Sequence, residues 1–306
     1  MNAEQINLNS TNAETEIFRI LLKHSPHEDY KRQAIIPTFT RIAQHMSLGK
    51  KLTFLLPAFP AKSPSPLKTS GILPDLGEVV SLMNLQKMCE EIGTHYAPGA
   101  EIIICSDGRV FSDVVDVSDE HIDAYGAGIE EIIREFNLHH LLTFSMDDVH
   151  PGMAPAVLRE RLLSEFASTL EQVRVKVLTD MESVKLYNGM HRFMVEDQKG
   201  RSTLSKSQIH KEMKVRTYEL MRRSDAWSQL LLNYFPEALR LSIHPHALES
   251  QKFGIKLVKE AQRWATPWHN VLFRHQGVFE LMTKEEALNR GATEKMFGGK
   301  YAYFEL

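Results

Sequence analysis

Cysteine is scarce in this sequence of 306 residues, which contains only Cys89 and Cys105. Two thiols support neither a disulfide framework nor a cysteine-rich metal cluster, and so low a number is typical of a reducing compartment. The first residues lack the basic segment and apolar core of a secretion signal, and no apolar run reaches the roughly 20 residues that a membrane span needs. We therefore expect a cytoplasmic protein with no membrane partner.

An excess of charge of either sign is also missing. The chain has 36 Lys and Arg against 39 Asp and Glu, a net charge of −3, and the two signs are well mixed. Such a chain has no extended basic field that would attract nucleic acid, so any anionic ligand must be bound by a local cluster. The apolar content of 43% and the length are sufficient for a sizeable core.

Common short motifs for cofactors and nucleophiles are missing as well. The sequence contains no phosphate-binding Gly-x4-Gly-Lys-Ser/Thr loop, no His-Glu-x-x-His pair and no Gly-x-Ser-x-Gly elbow. Residues 126–131, Gly-Ala-Gly-Ile-Glu-Glu, begin like a dinucleotide-binding fingerprint, but they lack the third glycine and lie inside a predicted helix. We therefore predict no nucleotide cofactor from these residues.

Apolar segments alternate with helical ones in the first half of the chain. Continuous apolar runs at 52–56, 101–106 and 141–145 predict strands, and apolar residues at helical spacing over 76–96 and 119–137 predict the helices between them. Strands joined by crossover helices pair in parallel and are covered on both faces. The order predicts an α/β fold with a Rossmann-like, mostly parallel sheet flanked by helices.

The pattern around this unit predicts three parts of the chain. They are an N-terminal helical segment over 1–48, the βαβαβ half over 49–155 and a smaller α+β subdomain over 156–306. In the last part, amphipathic helices are followed by a strand at 239–243 and a hairpin at 271–282. We expect the two larger parts to enclose one cleft.

Polar residues follow each of the three predicted strands. In an open α/β sheet, ligands bind outside the carboxyl ends of the strands, so these loops are expected to share one edge. Any one of them alone is as readily explained as a solvated loop. The candidates are Lys62, Ser63, Lys68, Asp75 and Glu78 after the first strand, Asp107 and Arg109 after the second, and Asp148 after the third.

The loop after the first strand is stiffened by its prolines. Fixed φ angles at Pro60, Pro64 and Pro66 lower the entropy that is lost when this loop binds an anion such as phosphate. Its two lysines, Lys62 and Lys68, are suited to that role, although most lysines are simply solvated. The two acids that follow can start a helix or act as general bases, and both interpretations stay open.

Two further clusters lie nearer the C-terminus. Strand alternation places Arg240 and His244 on one face, where they can bind a phosphate or carboxylate together. A metal pair made by His244 and His246 ranks below anion binding because no third ligand has suitable spacing. Trp268 and His269 combine an aromatic wall with a titratable imidazole, although Trp268 alone is as readily explained by packing.

Four separate sequence blocks occur together in an order that is specific to one family. They are Phe59-Pro60-Ala61-Lys62-Ser63-Pro64 with Gly71, Pro74-Asp75 and Gly77-Glu78; Ser106-Asp107-Gly108-Arg109-Val110-Phe111; Arg240-Leu241-Ser242-Ile243-His244-Pro245; and Thr266-Pro267-Trp268-His269. Over residues 30–285 the chain resembles the isocyanide (isonitrile) synthases, which form the pyoverdine/dityrosine biosynthesis family.

The resemblance implies a reaction between the α-amine of tyrosine or tryptophan and the ketone of ribulose 5-phosphate, whose carbonyl carbon becomes the isonitrile carbon. Amine and ketone condense to an imine, and proton transfers, phosphate loss and carbon–carbon cleavage follow. No metal or redox cofactor is implied. The alternatives are another sugar-phosphate lyase or isomerase of the aldolase-like class and a binding module without turnover.

Within this reaction each candidate residue has an expected role. We expect catalysis by Lys62, Asp75, Glu78, His244 and His269, and substrate binding by Ser63, Lys68, Asp107, Arg109, Asp148, Arg240, His246 and Trp268. Both catalytic histidines are expected to carry protons near neutral pH. A covalent adduct of Lys62 with the ketone is an alternative that requires a lowered pKa at its amine.

Overall fold

The computed structural model describes residues 12–25, 36–106, 108–244, 251–258 and 265–306. The helices are α1 (Ala13–Lys23), α2 (Ile36–Ser47), α3 (Leu76–His95), α4 (Gly108–Val115), α5 (Asp119–Glu135), α6 (Met146–Val149), α7 (Pro155–Phe166), α8 (Leu170–Thr179), α9 (Met181–Asp197), α10 (Lys206–Tyr234) and α11 (Lys284–Asn289). The strands are β1 (Leu52–Pro57), β2 (Ala100–Cys105), β3 (Leu141–Phe144), β4 (Leu239–Ser242), β5 (Lys252–Gly254), β6 (Val271–His275), β7 (Val278–Met282), β8 (Thr293–Phe297) and β9 (Tyr301–Glu305).

The first five strands form one sheet in the order β3-β2-β1-β4-β5, and every neighbouring pair in it is parallel. This confirms the predicted α/β fold with a parallel sheet flanked by helices. β4 and β5 join β1 from the far half of the chain, so one sheet is shared by segments on both sides of residue 155.

The central strands β1 and β2 are buried on both faces, as their continuous apolar runs predict. On one face Phe54 and Ile102 pack in the core that contains the apolar residues of α1 and α3. On the other face Leu55 and Ile103 pack with residues of α7 and α10, including Trp227. Helix layers on the two faces leave the strand ends as the accessible edges.

The strand order places a switch point between β1 and β4. From β1 the chain continues to β2 and β3 on one side, whereas β4 and β5 lie on the other side. The loop after β1 and the residues after β4 therefore leave the same edge of the sheet in different directions. Ligands of doubly wound folds bind at this point.

A second sheet, with the order β7-β6-β9-β8, packs against α3 through β6 and β9. Its β6–β7 hairpin confirms the predicted one, because Gln276 and Gly277 at its turn have φ angles of 50° and 80°, as two-residue hairpin loops require. The β8–β9 hairpin is not predicted by the sequence. All five residues of β8 are exposed, so its pattern contains no alternation. Within the described residues, no helix combines the length and apolar character that crossing a membrane requires.

Candidate active site

Lys62 lies in the interior of the protein, where its side chain is 1% exposed. Its Nζ atom is 2.7 Å from Asp75 Oδ2, 2.7 Å from Glu78 Oε2 and 3.0 Å from the carbonyl oxygen of Pro267. These three acceptors match the three hydrogens of an ammonium group. Lys62 thus ties the loop after β1 to the start of α3 and to the segment before β6.

The two acids that hold Lys62 also begin α3. Asp75 is the N-cap residue and its Oδ1 accepts a hydrogen bond from Gly77 N–H at 2.8 Å, while Glu78 Oε2 accepts one from Asp75 N–H at 2.9 Å. This is a capping box. Tyr125 Oη of α5 donates to Glu78 Oε1 at 3.1 Å. Helix capping and contact with Lys62 are therefore combined in the same two carboxyl groups.

The charges of this cluster follow from burial and from close contact. Burial alone lowers the pKa of Lys62, but Asp75 and Glu78 outweigh it and the pKa ends above its usual value. Burial raises the pKa of Asp75 to about 8 against the opposing effect of Lys62. Lys62 therefore remains an ammonium ion, whereas a covalent adduct requires a free amine. The geometry favours a positioning role for Lys62.

A second cluster surrounds Asp197 at the end of α9. Its Oδ1 accepts hydrogen bonds from Ser63 Oγ at 2.5 Å and from Lys68 Nζ at 3.1 Å, and its Oδ2 is 3.1 Å from an Arg201 guanidinium nitrogen. Burial tends to raise the pKa of Asp197, but Lys68, His269 and Ser63 outweigh it, so the pKa is lowered. The Lys68 ammonium also lies 5.1 Å from the ring centroid of Phe193. The cluster offers a cation, a carboxylate and an aromatic face together.

His269 lies where the two clusters meet. Its Nδ1 is 3.1 Å from Thr266 Oγ1, and its ring centroid is 4.6 Å from that of Phe193. Desolvation, followed by the charge of Lys68, lowers the pKa of His269 to about 3. The imidazole is therefore neutral at physiological pH, instead of titrating near pH 7 as expected. A neutral imidazole can accept a proton or a hydrogen bond from a substrate.

Basic residues extend from His269 along the strands that end at this edge. His244 follows β4 and is exposed, yet the surrounding protein and then Lys252 lower its pKa. Arg240 lies within β4, is 8% exposed and donates to Ser228 Oγ of α10 at 2.8 Å. Its Cα pairs with that of Lys252 on β5. All four residues of β4 are buried, so the predicted polar face of this strand is covered by α10 rather than by solvent.

Other predicted site residues make contacts that are structural. Arg109 of α4 forms ion pairs with Asp123 and Asp147. Asp148 accepts a hydrogen bond from Ser145 N–H at 2.7 Å and thereby caps α6. None of these contacts joins the Lys62 or Asp197 clusters within the described residues.

Trp268 is a core residue. It is 2% exposed and its ring lies 5.2 Å from that of Phe59. Its carbonyl oxygen accepts a hydrogen bond from Ser63 N–H at 2.7 Å, which holds the loop after β1. The predicted Asp107 and His246 lie outside the described residues.

Several residues of the site are not predicted by the sequence. Asp197 lies in residues 196–202, whose charged, glycine-containing composition is typical of a linker. Lys252 and Ser228 belong to a three-residue strand and to the middle of a long helix, and neither position has a local pattern that indicates a site. Their positions follow only from the folded structure.

Comparisons with known proteins agree with this architecture. A family model described as "Pyoverdine/dityrosine biosynthesis protein" matches residues 42–296. The chain is 38% identical over 271 residues to the L-tryptophan isonitrile synthase AmbI2 of Fischerella ambigua, covering 88% of this chain and 82% of that protein. It is 39% identical over 275 residues to the L-tyrosine isonitrile synthase of Pseudomonas aeruginosa, covering 87% and 83%.

The fold also matches a solved structure. The crystal structure of PvcA from Pseudomonas aeruginosa superposes with a TM-score of 0.91 and 35% sequence identity, covering 96% of this chain and 100% of that one. Sequence and structure thus agree over nearly the whole chain. The protein belongs to the pyoverdine/dityrosine biosynthesis protein family.

Proposed function

We propose that this protein is an isonitrile synthase that converts the α-amine of tyrosine or tryptophan to an isonitrile, with ribulose 5-phosphate as the carbon donor. Family membership supports the proposal, since relatives that share more than a third of the sequence are named for L-tryptophan and L-tyrosine isonitrile synthesis. One structural observation supports it most directly: the Asp197 cluster has a partner for each part of an aromatic amino acid.

An aromatic amino acid at neutral pH has a carboxylate, an ammonium group and a ring. Lys68 is placed to bind the carboxylate, Asp197 to bind the ammonium group, and Phe193 to contact the ring. Lys68 and Asp197 side by side complement a ligand that has both an anionic and a cationic group. Ser63, in the loop after β1, holds these groups in place. It contacts Asp197 at the end of α9 and the Trp268 carbonyl in the turn before β6.

The reaction requires the amine to lose a proton before it attacks the ketone. His269 is neutral and lies beside Lys68, with Asp197 and His244 also close enough to affect its charge. Bound anionic substrates add negative charge here and raise the pKa of His269, so the imidazole becomes a stronger base when the site is filled. The Lys62 cluster then keeps the loop fixed while the imine forms and the later eliminations proceed.

The test is a reaction of purified protein with ribulose 5-phosphate labelled at the ketone carbon and with L-tyrosine or L-tryptophan. We expect an isonitrile product that contains the label, detected by mass spectrometry and by its infrared stretch. Consumption of ribulose 5-phosphate at the same rate without an amino acid would instead support an aldolase-like lyase or isomerase.

Asp197→Asn tests the amino-acid site. Loss of the charge opposite a desolvated Lys68 is expected to lower kcat/KM for the amino acid by about 100-fold. The matched control is Glu196→Gln, which removes a neighbouring carboxylate that is exposed and is expected to keep wild-type kinetics. Equal activity of the two variants would contradict the proposed role of Asp197.

A further inference from the structure

Arg240 is a buried cation that contacts no carboxylate within the described residues. It donates a hydrogen bond to the neutral hydroxyl of Ser228, and the residue is 8% exposed. Desolvation lowers the pKa of Arg240, and the charge of Arg41 adds to this effect against the opposing influence of Cys105, so the pKa ends below its usual value. An uncompensated buried charge is costly to stability, and such groups are retained where a ligand supplies the missing charge.

Three other cations near this edge have acidic partners. Lys62 is paired with Asp75 and Glu78, and Lys68 is paired with Asp197. Arg109, farther along the edge, has two carboxylate partners of its own. Arg240 differs from all of them, so a strongly charged anion is most favoured beside it.

A second cation lies beside Arg240. Lys252 occupies the paired position on β5, so both side chains project from the same face of the parallel sheet, toward α10. Desolvation and then the charge of Arg240 lower the pKa of Lys252 to about 8, while Asp225 opposes that shift. Asp225 is itself half exposed and lies 3.6 Å from Lys176. Arg240 therefore has a second cation beside it.

We propose that Arg240, Lys252 and Ser228 form a subsite for the dianion of a phosphate monoester, distinct from the Lys68–Asp197 pair. The arginine supplies a planar fork of N–H donors, the lysine a second charge and the serine a hydroxyl, a combination suited to phosphate oxygens. The assignment of this phosphate to the sugar substrate depends on the proposed function, whereas the anion site itself does not.

The charges of the two substrates indicate which of them binds at Lys68 and Asp197 and which binds at Arg240 and Lys252. The amino acid has one positive and one negative group, so the paired Lys68 and Asp197 complement it. A phosphate monoester has close to two negative charges and no positive one, so it is complemented by the neighbouring Arg240 and Lys252, of which Arg240 contacts no carboxylate within the described residues. Lys252 affects the pKa of His244, and Lys68 and His244 both affect that of His269, so the two imidazoles connect the subsites electrostatically. The sugar ketone would then lie near the imidazoles.

The test is calorimetric titration of the full-length protein with inorganic phosphate and, separately, with ribulose 5-phosphate, without an amino acid. We expect Arg240→Met and Lys252→Met each to weaken both affinities by at least about 10-fold. Lys50→Met removes one exposed cation that precedes β1 at the opposite edge, and its affinities should stay within about twofold of wild type. Wild-type affinity in both test variants, or no binding of either ligand by the wild-type protein, overturns the subsite.

Thermal unfolding separates binding from structural support. Arg240→Met should leave the Tm of the ligand-free protein unchanged or raise it, because it removes a buried charge that contacts no carboxylate within the described residues. It should also abolish the rise in Tm that phosphate causes in the wild type. If Arg240→Met does not fold, Lys252→Met and Ser228→Ala give the same test, and unchanged phosphate affinity in both overturns the inference.

Turnover distinguishes this inference from the proposed function. If the protein makes an isonitrile, Arg240→Met should raise KM for ribulose 5-phosphate while KM for the amino acid stays within about twofold; an unchanged KM for the sugar phosphate overturns the subsite. If no isonitrile is formed but the variants lose phosphate affinity as described, the proposed function fails and the phosphate subsite is supported.

Discussion

Asp75 and Glu78 contact the same buried ammonium group, but burial raises the pKa of Asp75 to about 8. Asp75 therefore keeps its proton in the folded protein near neutral pH and acts as a neutral hydrogen-bonding cap. The residue that caps a helix thus also sets the charge of the interior.

This protonation predicts how stability depends on pH. The unfolded chain loses the Asp75 proton near its ordinary value of 3.8, whereas the folded protein keeps it up to about pH 8. The contribution of Asp75 to the free energy of unfolding is therefore fully present below about pH 4 and is lost as the pH rises through about 8. The loss is at most about 1.4 kcal/mol per pH unit. Asp75→Asn should remove this slope from the free energy of unfolding, measured by urea denaturation between about pH 5 and pH 8.

A second N-cap aspartate provides the control. Asp180 caps α9 and is exposed to solvent, and hydrogen bonds from Ser183 lower its pKa. Its contribution is lost only as the pH falls through that lowered value, so Asp180→Asn should leave the slope between about pH 5 and pH 8 unchanged. Parallel curves for wild type and Asp75→Asn would show that Asp75 is not protonated in the folded state.

For single residues, the sequence predicts groups that lie close together in the chain, but it does not predict their partners from distant positions. Lys62, Ser63 and Lys68 stand out because they lie in a proline-rich loop after an apolar strand. Asp197 is 134 positions from Ser63, with which it shares a hydrogen bond, and a single aspartate at a helix end has no pattern that indicates its partner. Only the fold brings these residues together.

Two helices approach the loop after β1 so closely that only glycine fits. A Cβ atom at Gly108 of α4 would lie 2.0 Å from the carbonyl oxygen of Pro60, and one at Gly128 of α5 would lie 2.7 Å from Pro74 Cδ. Pro74 directly precedes Asp75, so its position affects the Lys62 cluster. Gly128, one of the two glycines that begin like a dinucleotide fingerprint in the sequence, thus has a packing role.

Gly128→Ala is therefore expected to displace either α5 or the loop. Overpacking against a rigid proline should cost about 1–3 kcal/mol in the free energy of unfolding and should lower kcat/KM, because Asp75 moves with Pro74. Gly126→Ala is the matched control in the same helix, where an added Cβ meets nothing within 4 Å. Helix propensity predicts that it stabilises the protein by up to about 1 kcal/mol. Similar denaturation midpoints for the two variants would contradict the packing role.

The elements that the sequence predicts are those with long apolar patterns. β1, β2 and β3 are continuous apolar runs, and the helices between them repeat apolar residues at helical spacing. β5 has three residues, Lys252-Phe253-Gly254, and becomes a strand only because β4 offers it a partner. Short strands of this kind depend on tertiary contacts more than on propensity.

Over the whole molecule the net charge of −3 hides an uneven distribution. The surface charges are mixed, while the edge between β1 and β5 collects Lys68, Arg240, His244 and Lys252. The order of the four sequence blocks indicates the family, but the distribution of charge between two subsites follows only from the ion pairs in the folded chain. Attraction of anionic substrates therefore depends on this local region.

Salt should affect the two substrates differently. Raising the salt concentration from about 0.05 to about 0.5 M shortens the screening length to a few ångströms, so KM for the sugar phosphate should rise several-fold. KM for the aromatic amino acid, whose charges sum to zero, should change much less. Steady-state kinetics with each substrate varied in turn is the measurement. An equal salt dependence for both substrates would contradict the separation of a dianion site from a zwitterion site.

The central position of β1 has a consequence for biosynthesis. β2 emerges from the ribosome soon after β1, but β4, the neighbour on its other side, begins about 190 residues later, and at ~5–20 residues per second this delay is ~10–40 s. During that time one hydrogen-bonding edge of an apolar strand has no partner, which is a surface prone to aggregation and to capture by chaperones. The yield of native protein in a cell is therefore limited by how well the nascent chain is protected until Leu239 is translated.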